Sequence, residues 1–444
     1  MTGTYSDPGA SRPALIGCAV AAAGLGWLGG PAPSAGPGVP PAAPAPRAGQ
    51  GSWRFEGEYG LYVGLTRRGL EVRWLTNERL PGLIRAIVNG RVVDERRTDS
   101  GHAHMAELRV EAPVVTIEYG ADQPGRLQRT EIRPEGPPSP EIDLPAPDSV
   151  FVFGDVHGEF DRVVALLRRA GLIDAGLRWT GGSATVALLG DLFDRGDDVT
   201  RLLWFVYELE REAAAAGGRV VTLLGNHEAM VMSGDLRYVS PKEMAIADRH
   251  DMSYAKLFDP ANSILGRWLA AKPGLVRLGD LLLAHGGVSP TYRDVSLHRY
   301  QDTLRAFISE PLFTGWHDSA FLEQFTLQTR LDSAGIYRRY DFFFASESVL
   351  WYRDLVLTDT LGAHLDAVLD HFGADVHVVG HTPVTTIRES YDGKLIAVDL
   401  LDAAAEMLML EPQPEGGWDR VTIPLEGDAR PLGRAPESGG SQAP

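Results

Sequence analysis

Five short segments of this sequence combine glycine with residue types that bind metal ions or transfer protons. Each segment follows a short apolar run: Gly154-Asp155-Val156-His157-Gly158, Gly190-Asp191-Leu192-Phe193-Asp194-Arg195-Gly196, Gly225-Asn226-His227-Glu228, Ala284-His285-Gly286-Gly287 and Gly380-His381-Thr382. Carboxylates, imidazoles and amides are oxygen and nitrogen ligands, which suit two divalent ions such as Mn, Fe or Zn. Glycines beside them let the backbone turn sharply and approach a ligand. Together the segments predict a metal-dependent reaction centre.

The apolar runs that precede these segments predict the strands that position them. The runs are residues 150–153, 186–189, 220–224, 281–284 and 376–379. Apolar residues recur at helical spacing from Phe160 to the stop signal at Gly171, and residues 199–216 have the pattern of a second helix. Alternating strands and helices predict an α/β fold, in which the loops after the strands converge on one rim.

Composition excludes several classes of protein. The 444 residues include 42 Lys and Arg against 59 Asp and Glu, which gives a net charge of −17. That sign is wrong for a generic nucleic-acid or anionic-membrane binder, which needs a basic face. The only cysteine, Cys18, excludes disulfides, cysteine zinc sites and Fe–S clusters, and a Cys-x5-Arg phosphatase would need arginine at Gly24. The sequence lacks the series of long apolar runs that a multi-pass membrane protein needs.

Changes in composition divide the chain into successive parts. Residues 1–49 contain an apolar run and a Pro/Ala-rich stretch, which resemble an export signal or a membrane anchor followed by a linker. We therefore expect an exported or membrane-tethered protein, and otherwise a cytoplasmic one. Residues 50–133 hold β-prone runs separated by turn signals, which predict a small all-β sandwich. Proline-rich residues 134–148 predict a linker, 149–424 the catalytic domain, and 425–444 a disordered tail.

In this order, the five segments resemble the GDxHG, GDxxDRG, GNHE, HGG and GH motifs of phosphoprotein phosphatases in the calcineurin-like metallophosphoesterase superfamily. Three further segments are similar to its Shewanella-like, bacterial-type branch: Gly234-Asp235-Leu236-Arg237-Tyr238-Val239, Ala284-His285-Gly286-Gly287-Val288-Ser289-Pro290 and Leu350-Trp351-Tyr352-Arg353. The resemblance implies a metallophosphoesterase β-sandwich flanked by helices. That branch ordinarily lacks a β-rich region such as residues 52–133. An N-terminal sandwich of this sort is similar to that of purple acid phosphatases, but the resemblance to those enzymes fails at one residue. Those enzymes carry a tyrosine ligand where this chain has Asp194.

The resemblance also implies a set of metal ligands. Asp155 and His157 hold one ion, and Asp191 bridges the two ions. The remaining implied ligands, on the second ion, are Asn226, His285 and His381. A bridging carboxylate brings two cations within about 3.5–4 Å and offsets their repulsion. Two divalent ions are expected, with manganese preferred and iron or zinc as alternatives, and a hydroxide that bridges them attacks phosphorus directly.

Four further residues receive roles in the reaction from the same resemblance. His227 is the implied general acid for the leaving oxygen, and Asp194 holds its ring and favours the protonated form. Arg195 is the implied bidentate clamp for the phosphoryl oxygens. Arg353 is a candidate for a second clamp.

These roles imply a two-metal phosphomonoesterase that acts on phosphoprotein, with phosphotyrosine favoured over phosphoserine and phosphothreonine. The insertions at 235–272 and 304–348 are long enough to build a groove, and Tyr238, Phe342 and Phe343 are the candidates to line an aromatic pocket. For residues 341–344, packing in the core is the favoured alternative. A dinucleotide polyphosphate hydrolase of the same superfamily is one alternative, because it would share every metal ligand. A non-catalytic envelope binding protein is the other alternative.

Overall fold

A computed structural model describes residues 54–137, 139–316, 321–322, 324–325 and 333–432. The predicted export segment at 1–49 lies outside these residues, as do residues 433–444 and part of the 304–348 insertion. Within the described ranges, no helix combines the length and the apolar character needed to cross a membrane. The described residues all belong to one compact unit.

The first region is a five-stranded antiparallel sheet. Its strands are β1 (Tyr62–Thr66), β2 (Gly69–Val88), β3 (Arg91–Leu108), β4 (Val115–Ala121) and β5 (Leu127–Ile132). β2 and β3 form a long hairpin, and its turn residues Asn89 and Gly90 have φ angles of 50° and 74°. Two successive left-handed residues match the twist of a tight hairpin, which is why Asn-Gly is favoured there.

This sheet folds back on itself within β2 and β3. Pairing between the two strands is irregular from Leu75 to Gly82. Beyond the bend, a Cβ at Gly82 would lie 2.7 Å from the Trp74 indole. The indole N–H of buried Trp74 donates to Gly120 O in β4 at 3.1 Å. The prediction of an all-β region is confirmed, but the two layers of the expected sandwich belong to one folded sheet. The reason is that β2 and β3, with 20 and 18 residues, run through the bend.

The catalytic region contains two further sheets of six strands each. Their strands are β6 (Asp143–Leu144), β7 (Val150–Phe153), β8 (Thr185–Leu188), β9 (Arg219–Thr222), β10 (Leu275–Leu278), β11 (Leu281–Ala284), β12 (Val376–Val379), β13 (Arg388–Ser390), β14 (Leu395–Ala397), β15 (Glu406–Pro412), β16 (Trp418–Pro424) and β17 (Arg430–Pro431). One sheet has the order β17-β16-β15-β7-β8-β9 and the other β13-β14-β12-β11-β10-β6. β7, β8 and β9 are parallel, as are β11, β12 and β14.

Helices connect these strands, which confirms the predicted α/β class. They are α1 (Phe160–Arg169), α2 (Val199–Ala215), α3 (Asn226–Ser233), α4 (Pro241–Arg249), α5 (Ile264–Ala270), α6 (Leu297–Ile308), α7 (Pro311–Thr314), α8 (Ser333–Phe344), α9 (Asp354–Leu357) and α10 (Gly362–Phe372). α1 buries its apolar residues at helical spacing and ends just before Gly171, whose φ is 70°. Both helices expected from the sequence are therefore present.

Parts of the predicted linker and tail belong to these sheets. Asp143–Leu144 pairs in parallel with β10, and Leu144 is buried. Arg430–Pro431 pairs with β16, although it lies in the segment expected to be disordered. Proline and glycine content indicated irregular chain at both places. Short strands survive there because a neighbouring strand supplies the hydrogen-bond partners.

The N-terminal sheet packs directly against the catalytic helices. The Trp204 indole N–H in α2 donates to Leu61 O at 3.1 Å, and the His250 ring lies 2.9 Å from Gly60 O. Leu65 N–H also donates to Asn262 O at 2.7 Å. These bonds fix the N-terminal region to α2, to the end of α4 and to the segment before α5.

Candidate metal centre

Loops at the carboxyl ends of parallel strands bring the expected ligands together. Asp155 and His157 follow β7, and Asp191 follows β8. Asn226 opens α3 directly after β9, while His285 and His381 follow β11 and β12. All of these side chains are 0–4% exposed. Because strand ends and a helix start place them, their positions are fixed by rigid elements of the fold.

The ligand atoms form two groups that share one carboxylate. Within each group the atoms lie within 4.8 Å of one another: Asp155, Asp191, His285 and His381 in the first, and His157, Asp191 and His227 in the second. The resemblance pairs Asp155 with His157, whereas Asp155 lies in the other group here. Even so, Asp155 Oδ2 is 3.9 Å from His157 Nε2, so the carboxylate lies between the groups. Asp191 is common to both.

Asn226 lies at the edge of the first group. Its Oδ1 is 2.8 Å from His285 Nε2, which is itself 3.3 Å from Asp191 Oδ1. An amide oxygen at this position extends the set of hard ligands. The structure thus assembles every expected ligand around Asp191.

The histidine rings are held in a way that suits metal binding. His157 Nδ1 donates to Phe193 O at 2.8 Å, and His285 Nδ1 donates to Leu189 O at 2.9 Å. A ring fixed through Nδ1 directs Nε2 toward the centre, where an unprotonated Nε2 can bind an ion. Among the described residues, the buried Nε2 atoms of His157 and His381 have no hydrogen-bond partner. Buried polar atoms rarely stay unpaired, so the residues fit divalent cations.

Charges in this centre perturb one another strongly. Burial raises the pKa of Asp155 to about 6, and repulsion from Asp191 adds to that rise. Burial also acts to raise the pKa of Asp191, but His285 and His227 outweigh it and hold that pKa well below its usual value. For His285, burial acts to lower the pKa, yet Asp191 and Asp155 raise it to about 9. Such a cluster of buried acids favours cations.

His227 is held between two carboxylates. Its Nδ1 lies 2.6 Å from Asp194 Oδ2, and its Nε2 lies 3.7 Å from Asp191 Oδ2. Burial acts to lower the pKa of His227, but Asp191 and Asp194 outweigh it and raise that pKa. The protonated imidazole is therefore favoured, and it carries a proton that it can donate.

Two arginines flank the centre. Arg195 is exposed, its backbone N–H donates to Tyr238 O at 2.9 Å, and its Nη2 lies 3.5 Å from His227 Nε2. Arg353 Nη1 donates to His381 O at 2.5 Å. Both guanidinium groups thus lie beside the histidines, where they can bind an anion.

Several of these residues have strained backbone. Five non-glycine residues of the centre have positive φ angles of 41–68°: His157, Asp191, Asp194, Arg195 and His381. Each such conformation costs about 1–3 kcal/mol and persists only where the surroundings enforce it. Strain concentrated in this way is typical of a functional site.

Glu228 enforces part of this strain, and the sequence analysis gave it no role. It is 1% exposed, and its oxygens accept from the N–H groups of Asp191, Leu192 and Gly225 at 2.7–2.8 Å. A glutamate three residues into a helix is a known capping signal that could have identified it. Glu228 thereby ties the Asp191 loop to the start of α3.

Asp399 is a second residue without a motif. It follows β14 and is 3% exposed, and a Cβ at Gly154 would lie 2.8 Å from its Cα. Burial raises the pKa of Asp399 to about 9, and repulsion from Asp155 and Asp191 adds to this. A carboxylate soon after a short apolar strand was the available signal, because Asp155 and Asp191 follow β7 and β8 in the same way.

The prediction of an aromatic pocket is wrong for two of the three residues that were candidates to line it. Phe342 is 5% exposed and stacks on Tyr300 at 5.1 Å between centroids. Phe343 is 2% exposed and packs against Phe313. Both therefore belong to the core, because apolar rings gain more by packing there than by lining a groove. Tyr238 is 38% exposed and remains at the rim.

Comparison with known sequences agrees with this geometry. Residues 149–385 match the family of calcineurin-like phosphoesterases. Shewanella-like protein phosphatase 2 of Arabidopsis thaliana is 30% identical over 204 residues, 37% of this chain and 52% of the relative. A symmetrical bis(5'-nucleosyl)-tetraphosphatase of Vibrio cholerae is 26% identical over 174 residues, 39% of this chain and 57% of the relative. The chain spans about half the length of these relatives.

A solved structure is similar over more of the chain. The cold-active protein-tyrosine phosphatase of a psychrophilic Shewanella species is 27% identical, with a TM-score of 0.63 over 86% of this chain and 100% of its own. Residues 149–444 make up only about two thirds of this chain, so the match extends into the N-terminal sheet. The expectation that this branch lacks such a region is therefore wrong for this relative.

Proposed function

We propose that this chain, which belongs to the calcineurin-like phosphoesterase family, hydrolyses phosphomonoesters on proteins and prefers phosphotyrosine to phosphoserine and phosphothreonine. Its catalytic domain is that of a metal-dependent phosphatase. The observation that carries the proposal is the shared position of Asp191, whose ligand atoms lie in both groups of the centre.

The proposed ligands are the buried oxygen and nitrogen side chains that converge around Asp191, and the Nε2 atoms of His157 and His381 have no hydrogen-bond partner among the described residues. Asp155 and His157 would hold one ion, Asn226, His285 and His381 would hold the other, and Asp191 would be shared by both. Manganese is the proposed metal, with iron or zinc as alternatives, because the donors are oxygen and nitrogen without sulfur. When bound, such ions would supply a nucleophilic hydroxide near neutral pH.

The remaining residues act on the phosphate and on the leaving group. Arg195 and Arg353 are the proposed clamps for phosphoryl oxygens, because guanidinium groups bind them bidentately and stabilise developing charge. His227 donates its Nε2 proton to the leaving oxygen. Asp194, 2.6 Å from His227 Nδ1, orients the ring and favours its charged form.

The phosphotyrosine preference draws support from the Shewanella phosphatase, which is similar over most of this chain. The alternative, a dinucleotide polyphosphate hydrolase, draws weaker support from the Vibrio relative, which matches 39% of the chain. The same ligand set can serve both reactions, so only the substrate distinguishes them.

A substrate panel on the full-length, manganese-loaded chain tests the proposal. The panel contains matched phosphotyrosine and phosphoserine peptides and diadenosine tetraphosphate. We expect the highest kcat/KM on phosphotyrosine peptide. Preference for the dinucleotide would make the alternative correct, and no hydrolysis of any of the three would contradict a phosphatase.

We also propose that the protein is exported or tethered to a membrane, as the apolar run within residues 1–49 indicates. Fractionation of cells that express the full chain should place the enzyme in the envelope or outside the cell. Recovery in the cytosol with Met1 or Thr2 at its N-terminus would contradict export.

A further inference from the structure

The segment that follows α3 is held rigidly beside the general acid. α3 begins at Asn226 and His227 and ends at Ser233. Gly234 has a left-handed φ of 100°, and Asp235 N–H donates back to Met230 O at 2.8 Å, which closes the helix end. The same short helix therefore carries both the acid and the segment beyond it.

Tyr238, within this segment, contacts the centre through two separate groups. Its backbone carbonyl accepts the N–H of Arg195 at 2.9 Å. Its ring centroid lies 5.5 Å from that of His227, at an interplanar angle of 54°. His227 is 4% exposed and Tyr238 is 38% exposed. The Tyr238 ring thus forms the accessible surface next to the buried acid.

The Tyr238 ring lies where the leaving group of the substrate should emerge. A general acid must reach the leaving oxygen within hydrogen-bond distance, so the group attached to that oxygen emerges beside His227. In phosphotyrosine this group is an arene, whereas in phosphoserine it is one methylene followed by backbone. Aromatic rings pair favourably at centroid separations of about 4.5–7 Å. Only the arene can use the Tyr238 ring in this way.

The charge beside Tyr238 is already paired. Arg237 lies with its guanidinium carbon 5.5 Å from the Tyr238 ring centroid. Asp235 binds that guanidinium at 2.7–3.0 Å. An acidic leaving group would therefore meet a compensated cation, and the aromatic surface remains the distinguishing feature.

From these contacts we infer that Tyr238 is the specificity-determining residue for an aryl leaving group, because its ring stacks on the arene of phosphotyrosine. The inference rests on the proposed phosphatase function and adds the residue that selects its substrate. The bond to Arg195 comes from the backbone of Tyr238, so a side-chain substitution leaves that clamp in place. Selection and catalysis can therefore be separated.

The test compares Tyr238→Leu with Tyr238→Phe in the full-length, manganese-loaded chain, on peptides that differ only in carrying phosphotyrosine or phosphoserine. For Tyr238→Leu we expect kcat/KM on phosphotyrosine to fall about tenfold, which corresponds to about 1.4 kcal/mol. The loss on phosphoserine should be less than about twofold, and the difference should lie mainly in KM, as for lost ground-state binding. Tyr238→Phe keeps the arene and should keep the wild-type preference.

Inhibition supplies a readout without turnover. Tyr238→Leu should weaken phenylphosphonate far more than methylphosphonate, since only the former carries an arene. Equal losses on both peptides, or an unchanged phosphotyrosine preference in Tyr238→Leu, would overturn the role of Tyr238 and leave the phosphatase proposal intact. A wild-type preference for phosphoserine or for diadenosine tetraphosphate would overturn the substrate proposal itself.

Discussion

Histidines in the N-terminal sheet and at the catalytic rim are equally buried but differently bonded. His104 is 4% exposed, and its Nδ1 and Nε2 lie 2.7 Å and 3.1 Å from the hydroxyls of Thr98 and Thr76. His157 and His381 are each 3% exposed, yet their Nε2 atoms have no partner among the described residues. A ring bonded at both nitrogens stabilises the fold, whereas a ring with a free nitrogen is available to a ligand.

The backbone shows the same contrast. In the N-terminal sheet, positive φ angles of non-glycine residues occur only at the hairpin turn residue Asn89, within the part of that sheet the structure describes. At the rim they occur on proposed ligands such as Asp191 and His381, at 53° and 61°. The sheet therefore places strain where a turn requires it, and the rim places strain where ligands must converge.

Asp191→Asn should have the largest effect on the rim. Among the described residues, Asp191 is the one side chain whose ligand atoms belong to both groups, so its loss should affect both ions. We expect phosphatase activity to fall to background and the metal content to fall toward one ion or none. Activity assays and metal analysis of the same preparation check this, and full activity with two ions retained would refute the site.

His227→Asn should reduce kcat by about 10²–10⁴-fold, the range of a lost general acid, while metal content stays nearly intact. The loss should shrink for an activated phenyl phosphate, whose leaving oxygen needs little protonation. Burial acts to lower the pKa of His227, while Asp194, at 2.6 Å from Nδ1, acts to raise it and favours the protonated ring. Wild-type kcat on poor leaving groups should therefore decline as pH rises through the pKa of His227, and the variant should lack this decline. An equal loss on all leaving groups would argue against the acid role.

Glu228→Gln should lower metal affinity or activity by about 10–100-fold, as substitutions behind a ligand commonly do. The amide would place donor hydrogens against the N–H groups of Asp191 and its neighbours. Glu243→Gln is the matched control, because Glu243 is also fully buried and accepts from Thr200 and Tyr254. Calorimetric metal titration should show weakened binding for Glu228→Gln alone, and equal weakening in both variants would remove the special role of Glu228.

His104→Leu should have the smallest effect on activity. It removes the His104 partner of the Thr98 hydroxyl, while the Thr76 hydroxyl keeps its bonds to Glu78 O and Gly101 O. The free energy of unfolding should therefore fall by about 1–3 kcal/mol. Burial lowers the pKa of His104, so the folded state resists protonation of this ring. The contribution of His104 to stability is therefore lost as the pH falls below the ordinary pKa of histidine. Denaturant unfolding and kcat/KM measured on the same samples separate the two effects. A change in kcat/KM of the folded protein would break the contrast between the two regions.

The sequence was sufficient for residues whose position follows from a strand end. Asp155, Asp191 and His285 each follow an apolar strand, so local pattern and topology place them at one rim. Asp399 could not be predicted in this way, because β14 has only three residues and is followed by neither glycine nor histidine. Its position depends on pairing with β12, which is a tertiary contact.

Long-range packing also decided the features that the sequence predicted incorrectly. The N-terminal region was expected to be a sandwich, yet its layers belong to one sheet, because β2 continues through the bend at which Gly82 packs on Trp74. Phe342 and Phe343 have the chemistry of a pocket wall but are buried in the core. A pattern in sequence shows which side chains are apolar, while the rest of the fold determines what each one contacts.

The central claim is that the free nitrogens and the shared carboxylate of the rim hold two divalent ions. Titration of the metal-free, full-length chain with Mn²⁺, followed by calorimetry and by metal analysis after dialysis, measures this directly. We predict two ions per wild-type chain, two for His104→Leu, and one or none for Asp191→Asn. A wild-type chain that binds no Mn²⁺, Fe²⁺ or Zn²⁺, or an Asp191→Asn variant that still binds two ions, would contradict the account.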